Sequence, residues 1–278
     1  VHASELVRIT DTLCAAHAEA SWGAEEQVCS PQVVFVRRGH FRIRSPRGAA
    51  TGDAATALLM NGGEPYQVRH PDPGGDHCTA MAFREDVLEE VLTAVGPGGA
   101  QSGAAPFART QAPVAPSAML RHHALLRRLG VPADPLAIDE HALALLATLL
   151  RAPDEHAPSP QPPRRGRTSH RWSEAADEVR RLLATDSAHD HSLAALARRV
   201  HTTPFHLTRV FRWRTGSSIH DYRTRLRLAA ALRRLAARET SLTRLALDLG
   251  FSSHAHFTRR FRALTGMSPS QFRALPRD

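Results

Sequence analysis

Lysine is absent from this sequence: all 36 basic residues of the 278 are arginine, against 27 acidic ones, for a formal net charge of +9. Total replacement of one cation by the other reads as a compositional bias of the whole chain, not as a local chemistry. Cysteine is scarce too. Cys14, Cys29 and Cys78 are too few and too scattered for a disulfide framework or a CxxC metal site, so reduced thiols are expected. Long apolar runs are missing: the longest, Leu143–Leu150, is broken by Thr148 and falls far short of the roughly 20 residues that cross a bilayer. The opening VHASELVRIT has no basic stretch followed by an apolar core. A cytoplasmic protein without membrane contact is expected.

What is present is unevenly spread. Residues 164–278 hold 23 arginines against 9 acidic residues, a net of +14, whereas residues 1–163 hold 13 against 18, a net of −5. The second half suits a polyanion and the first does not. The length allows two domains, each with its own core. The boundary is APDEHAPSPQPPRRGRTSHR, residues 152–171, where proline, serine and charge displace apolar periodicity. This gives an N-terminal domain at 1–151, a linker at 152–171 and a C-terminal domain at 172–278.

Within the first domain, VVFV and FRI around Gly39, then ATALLM and CTAMAF, are short β-type segments separated by Gly, Pro, Asn and Asp turns across residues 28–83. They predict a small antiparallel barrel or sandwich. Gly96–Gln111, rich in Gly, Ala and Pro, reads as a loop. Two helices follow, Ser117–Leu129 and Leu136–Leu150, the second apolar on nearly every side. Such a helix needs the barrel, a second copy of the chain, or both to pack on, and Leu145 and Leu149 are expected at a homodimer contact.

The second domain contains a repeat. LTRVFRWRTGSSIHDYR (207–223) and FTRRFRALTGMSPSQFR (257–273) align without gaps at an offset of 50, with eight of seventeen pairs identical. Each copy follows a short amphipathic helix, LAALA from Leu193 and LTRLA from Leu242, so each is helix, turn, helix. In the first, Thr203-Pro204 is an N-cap followed by proline at the first helical position. Leu207, Val210 and Phe211 then face the core and Phe205, Thr208, Arg209 and Arg212 face outward. In the second, Gly250 makes the turn and Phe257 and Phe261 face inward. His254, Ala255, Thr258, Arg259 and Arg262 are left outside. Arginine, threonine and histidine on an exposed helix suit base edges and phosphates of the DNA major groove. A helix over Ile219–Ala236, about 27 Å long at 1.5 Å per residue, separates the copies by close to one turn of B-DNA, about 34 Å.

The stretch Leu193–Arg273, with LAALA, TPFHLTRVFR, TGSSIHDY, LTRLALDLGF and HFTRRFRALTGMSPSQFR, resembles the C-terminal domain of the AraC/XylS family of bacterial transcription regulators. The resemblance implies base reading at Phe205, Thr208 and Arg209 and at His254, Ala255, Thr258 and Arg259. The candidate DNA-contacting set adds His206, Arg212 and Arg262. Two positions depart from expectation. His201 stands in the first turn where Gly250 stands in the second, tolerable because histidine enters positive φ more readily than most residues. Ala255 stands where the family often carries a polar residue, which implies methyl-directed reading.

In such regulators a cupin-like sensor barrel and two dimerisation helices often precede the DNA-binding domain, and residues 28–83 and 117–150 resemble that layout. The expected fold is therefore α+β: a cupin-like antiparallel β-barrel with two dimerisation helices, then an all-α domain of two helix-turn-helix units joined by a long helix. Two rivals stand beside the regulator. A cupin-type metalloenzyme needs two histidines and a glutamate clustered on adjacent strands. His40, His70 and His77 are instead spread out, and the segment ATALLMNGGEPYQV offers Glu64 and Tyr66 but contains no histidine, so no enzyme activity is expected. An architectural DNA-binding protein would not need 150 residues of β segments and apolar helix upstream. The expected partners are double-stranded DNA, RNA polymerase, a second copy of the chain and an effector that is a small molecule, a redox signal or a metal. Cys29 and Cys78, with His40 or His77, are the candidate redox or soft-metal residues, the competing reading being buried packing. Arg37, Arg38, Arg42 and Arg44 face either an anionic ligand or solvent. No cofactor is identifiable.

Overall fold

The structure is a computed structural model. It describes residues 1–15, 21–96, 105–130, 134–151, 167–237 and 241–275, with backbone alone for 167–170. The chain divides into two compact units, Val1–Ala152 with Ala274–Asp278, and Pro153–Arg273.

Among the described residues the first unit has ten strands: β1 (His2–Ala3), β2 (Val7–Cys14), β3 (Glu26–Gln27), β4 (Gln32–Arg38), β5 (His40–Ser45), β6 (Gly48–Asp53), β7 (Thr56–Met60), β8 (Pro65–Arg69), β9 (Asp76–Phe83) and β10 (Gln111–Pro113). The sheet order is β1-β2-β9-β4-β7-β6-β5-β8-β3, all pairs antiparallel, with β10 added to β7. Alternation sorts the side chains onto two faces. Val34, Val36, Phe41, Ile43, Leu58, Met60 and Cys78 form one core cluster. Val33, Phe35, Leu59, Met81 and Phe83, of the opposite parity on their strands, are buried on the other face. Because Phe41 and Ile43 point into the cluster, Arg42 and Arg44 belong to the outer face, where the guanidinium of Arg44 lies 4.7 Å from the Trp22 ring centre.

The sheet is curled, and one contact demonstrates it. β8 lies five places from β9 in the sheet, about 24 Å away if the sheet were flat. Yet His70, the residue after β8, reaches Asp76 at the start of β9 with an Nε2–Oδ1 distance of 2.8 Å. Gly39, between β4 and β5 at φ +77°, lets this closure happen: a Cβ there would collide with the Gly75 carbonyl and with Asp76.

Among the described residues three helices complete the unit: α1 (Glu85–Val95), α2 (Pro116–Leu129) and α3 (Pro135–Leu150). α3 packs on α1, α2 and β10, and His122 of α2 stacks on Phe35 at 4.6 Å. The expected dimer contact through Leu145 and Leu149 needs correction. Both are 2% exposed or less within a single chain, as is Leu146, so they are core residues of their own unit. What α3 leaves half-covered is Leu143, Ala144, Ala147 and Leu150. Of the expected loop 96–111, residues 97–104 lie outside the described residues. Its end is firmly held, since Phe107 and Asn61 exchange N–H···O bonds of 2.9 and 3.1 Å before β10 begins.

The second unit is helical: α4 (Arg167–Thr185), α5 (Leu193–Arg199), α6 (Pro204–Thr215), α7 (Ile219–Ala236), α8 (Leu242–Asp248), α9 (His254–Thr265) and α10 (Pro269–Ala274). α4 begins inside the segment expected to be linker, of which 152–166 lies outside the described residues. It packs on α6 and α7. Five helices share one N-terminal device, a Ser or Thr hydroxyl accepting from a backbone N–H near the start: Ser192, Thr203, Ser218, Ser241 and Ser253. Both α6 and α9 end on a left-handed glycine, Gly216 and Gly266. Caps and stops therefore repeat along with the sequence, and α7 has the bounds expected of the helix between the copies.

Candidate nucleic-acid interface

The two recognition helices are held from beneath. Leu207, Val210 and Phe211 of α6 and Phe257 and Phe261 of α9 are almost fully buried. Phe211 meets Tyr222 of α7 edge-on at 5.3 Å, and Phe257, Phe261, Phe251 and Phe272 form a chain of ring contacts. With those faces fixed, Phe205, Thr208, Arg209 and Arg212 of α6 and His254, Ala255, Arg259 and Arg262 of α9 are exposed, and Thr258 is half-exposed. Phe205 is 72% exposed, a large cost for an aromatic ring unless something covers it, and the Arg209 guanidinium lies 5.9 Å from its centre. Thr208 donates its hydroxyl to the Phe205 carbonyl at 2.8 Å, and Thr258 lies 3.4 Å from His254.

One expected contact residue is placed differently. His206 is half-buried beside Trp172 of α4, ring centres 3.8 Å apart, off the exposed face. Burial, and secondarily the charge of Arg209, lower its pKa, so it stays a neutral packing group near pH 7. The sequence reading expected no helix before Leu193 in this unit, so it offered no element to carry Trp172 to this face.

The electrostatics divide the arginines of this unit. Arg181, Arg214, Arg223 and Arg234 pair with Glu178, Asp177, Asp190 and Asp248 at 2.7–3.3 Å. Arg209, Arg212, Arg259 and Arg262 have no carboxylate partner among the described residues. The recognition faces thus carry four uncommitted guanidinium forks, the group that best matches phosphate and guanine edges. The turns before the helices are equally alike: His201 at φ +51° and Gly250 at φ +75°. Gly250 sits so close to Ala188 and Arg227 that a side chain has no room. Arg227 in turn donates to the Ser187 and Ala188 carbonyls at 2.7 and 3.0 Å and lies 5.6 Å from the Phe251 ring centre, tying the second turn to the loop that follows α4.

The candidate sensing residues of the first unit do not form one group. Cys29 is exposed, whereas Cys78 is in the core cluster. His77 is on the opposite face of β9 from Cys78, in a surface triangle with Asp11 (3.0 Å) and Arg37 (3.1 Å). Burial there pushes the Asp11 carboxyl up, but hydrogen bonds from His77 and Arg37 outweigh it and leave the pKa lowered. His40 pairs with Asp72 at 2.9 Å. What the fold does gather is Cys14, His70 and Asp76, with ligand atoms all within 4.8 Å of one another, and Cys78 donates to Asp76 at 2.9 Å. Burial, then that bond to Asp76, pushes the Cys78 thiol up. The spacing of Cys14, His70 and Asp76 in the sequence gives no sign of this. Glu64 and Tyr66 are committed elsewhere, Glu64 to the Arg47 fork at 2.7 and 2.9 Å and Tyr66 to Glu26 at 2.7 Å.

Two capped helix-turn-helix units in tandem, joined by α7, define a class of DNA-binding domain. Residues 196–275 match the family described as "Helix-turn-helix domain". The C-terminal unit is a helix-turn-helix domain of the AraC type. The chain is 29% identical over 144 residues to an uncharacterized HTH-type transcriptional regulator, YfiF, of Bacillus subtilis, covering 51% of this chain and 46% of that one. It is 32% identical over 105 residues to the arabinose operon regulatory protein of Escherichia coli, covering 38% and 35%. The matched segments therefore span less than half the length of these curated relatives. Among solved structures, ToxT from Vibrio cholerae aligns over 96% of this chain and 98% of its own, with TM-score 0.37 and 8% identity. Among the described residues no helix is long and apolar enough to cross a membrane.

Proposed function

We propose that this chain is a sequence-specific regulator of transcription that binds double-stranded DNA, with α6 and α9 reading successive major grooves on one face of the duplex. The observation that carries this reading is the set of four arginines, Arg209, Arg212, Arg259 and Arg262, that stand on the outward faces of two repeated helices at matching places and have no carboxylate partner among the described residues, whereas Arg180, Arg181, Arg214, Arg223 and Arg234 of the same unit are paired with carboxylates. Phe205, Thr208 and Arg209 read the first half-site and His254, Ala255, Thr258 and Arg259 the second, while Arg212 and Arg262 hold phosphates. Residues 172–278 are the DNA-binding domain, and residues 1–151 sense an effector and pair two copies through the half-covered side of α3. The protein acts in the cytoplasm, through RNA polymerase, and catalyses no reaction. Glu64, which a cupin metalloenzyme would need for its metal, is instead held by Arg47.

The test is selection of DNA from a randomised duplex pool by the full chain at fixed salt. Two short sequence blocks about one helical turn apart are expected. Recovery of bound but unenriched DNA would leave an architectural binder as the better reading.

A further inference from the structure

We propose that the first unit binds a divalent cation of the zinc class through Cys14, His70 and Asp76. Cys14 is the last residue of β2 and Asp76 the first of β9, and they stand opposite each other in antiparallel register, so their side chains share a face. Asp76 and Cys78 are two apart on β9, which places that face on the inside of the curl with the core cluster. His70 arrives from the far end of the sheet and closes the group.

A salt link between His70 and Asp76 would account for two of these residues but not for a third donor, a half-exposed thiol, within 4.8 Å of both. Bond lengths of about 2.0–2.3 Å put the ligands of a tetrahedral zinc about 3.3–3.8 Å apart, so an adjustment of about 1 Å completes the shell. The donors choose the ion. A thiolate disfavours calcium and magnesium, and the imidazole and carboxylate suit zinc or cobalt(II) better than copper(I).

Charge and protons balance. The Cys14 thiol releases one proton to solvent, Asp76 binds as carboxylate and His70 as neutral imidazole, so a dication and two anions form a neutral centre. The Cys78 thiol donates to the second oxygen of Asp76 at 2.9 Å and orients it, the service that outer-shell partners perform in metal sites. Gly39, lacking a Cβ, keeps the backbone of Asp76 pressed into place. Three protein ligands leave a fourth position for water or an exogenous group. The site belongs to the first unit alone and does not rest on the DNA-binding reading.

The experiment uses the reduced full chain, stripped with chelator and titrated without DNA. With cobalt(II), one equivalent per chain should produce a thiolate-to-cobalt absorption band that Cys14→Ser abolishes. Zinc should compete cobalt away. His70→Ala and Asp76→Asn should weaken zinc binding at least about tenfold and Cys78→Ala by about 10–100-fold, with Cys29→Ser and His77→Ala unchanged. In the unsubstituted chain zinc should slow alkylation of Cys14 and leave Cys29 reactive, a readout that needs no variant to fold. The proposal is overturned by an unsubstituted chain with no thiolate band, by a band that survives Cys14→Ser, or by Cys14 alkylation at equal rates with and without zinc.

Discussion

Arg180 of α4 donates through Nε to the Tyr222 hydroxyl of α7 at 2.9 Å, and neither side chain is more than 1% exposed. The buried charge is balanced by Asp177, 3.6 Å away, which also meets Arg214 at 3.3 Å. This network locks α4, from a segment that reads as linker at its start, onto the helix that joins the two turn units. Arg180→Ala leaves a cavity and removes one of the two cations from a buried carboxylate. We expect a loss of about 3–5 kcal/mol in urea unfolding of the second unit, and about 1.5–3 kcal/mol for Tyr222→Phe, which strands the guanidinium donor. Unchanged midpoints in both would show the network to be incidental.

The two turns predict opposite responses to opposite substitutions. His201 stands at φ +51° with its side chain exposed, so His201→Gly removes a left-handed strain without removing a contact and should gain up to about 1 kcal/mol. Gly250→Ala adds both that strain and a collision with the Ala188 carbonyl and Arg227, and should lose about 1–3 kcal/mol. Paired denaturation curves check the signs.

On DNA, Arg209→Ala and Arg259→Ala should each weaken binding to the selected site by about 1–3 kcal/mol and relax base choice in separate blocks. Arg212→Ala should weaken all sequences alike and reduce the salt slope by up to about one unit. His206→Ala, by contrast, should act on stability through Trp172 more than on base preference. Anisotropy titrations at several salt concentrations separate these outcomes.

His122 gives the first unit a pH dependence. Burial, then the charges of His123 and Arg37, lower its pKa well below the usual imidazole range, and its Nε2 has no hydrogen-bond partner among the described residues. The unfolded chain takes up a proton near pH 6.5 that the folded chain refuses, so stability rises with pH through this window and is lost as pH falls below about 6.5. The slope is about 1.4 kcal/mol per pH unit for one proton. His122→Phe should keep the stacking on Phe35 and flatten this acid limb, read from thermal unfolding between pH 4.5 and 7.5, on the order of the imidazole range.

How much was legible differs between the units for a reason visible in particular residues. α1 was not among the expected helices, although EDVLEEVL carries Val87, Leu88 and Leu92 at helical spacing and all three are buried. β2 offered little, because VRITDTLC carries Asp11 and two threonines on a strand whose partner, β9, lies more than sixty residues away.

The sequence by itself determined the two helix-turn-helix copies of the second unit and the helix that joins them. A helix is built from contacts three and four residues apart, and its caps, stops and buried stripe are all written locally, so an exact repeat of Thr or Ser, phenylalanine, arginine and glycine declares the same structure twice. The tertiary structure alone decided the rest. It turned His206 onto Trp172, buried Leu145 and Leu149 in their own unit, parted Cys78 from Cys29 and His77, and set Cys14 beside His70 and Asp76. A curled antiparallel sheet pairs residues by register and closure across its whole width, and no pattern within a strand encodes which distant strand will face it.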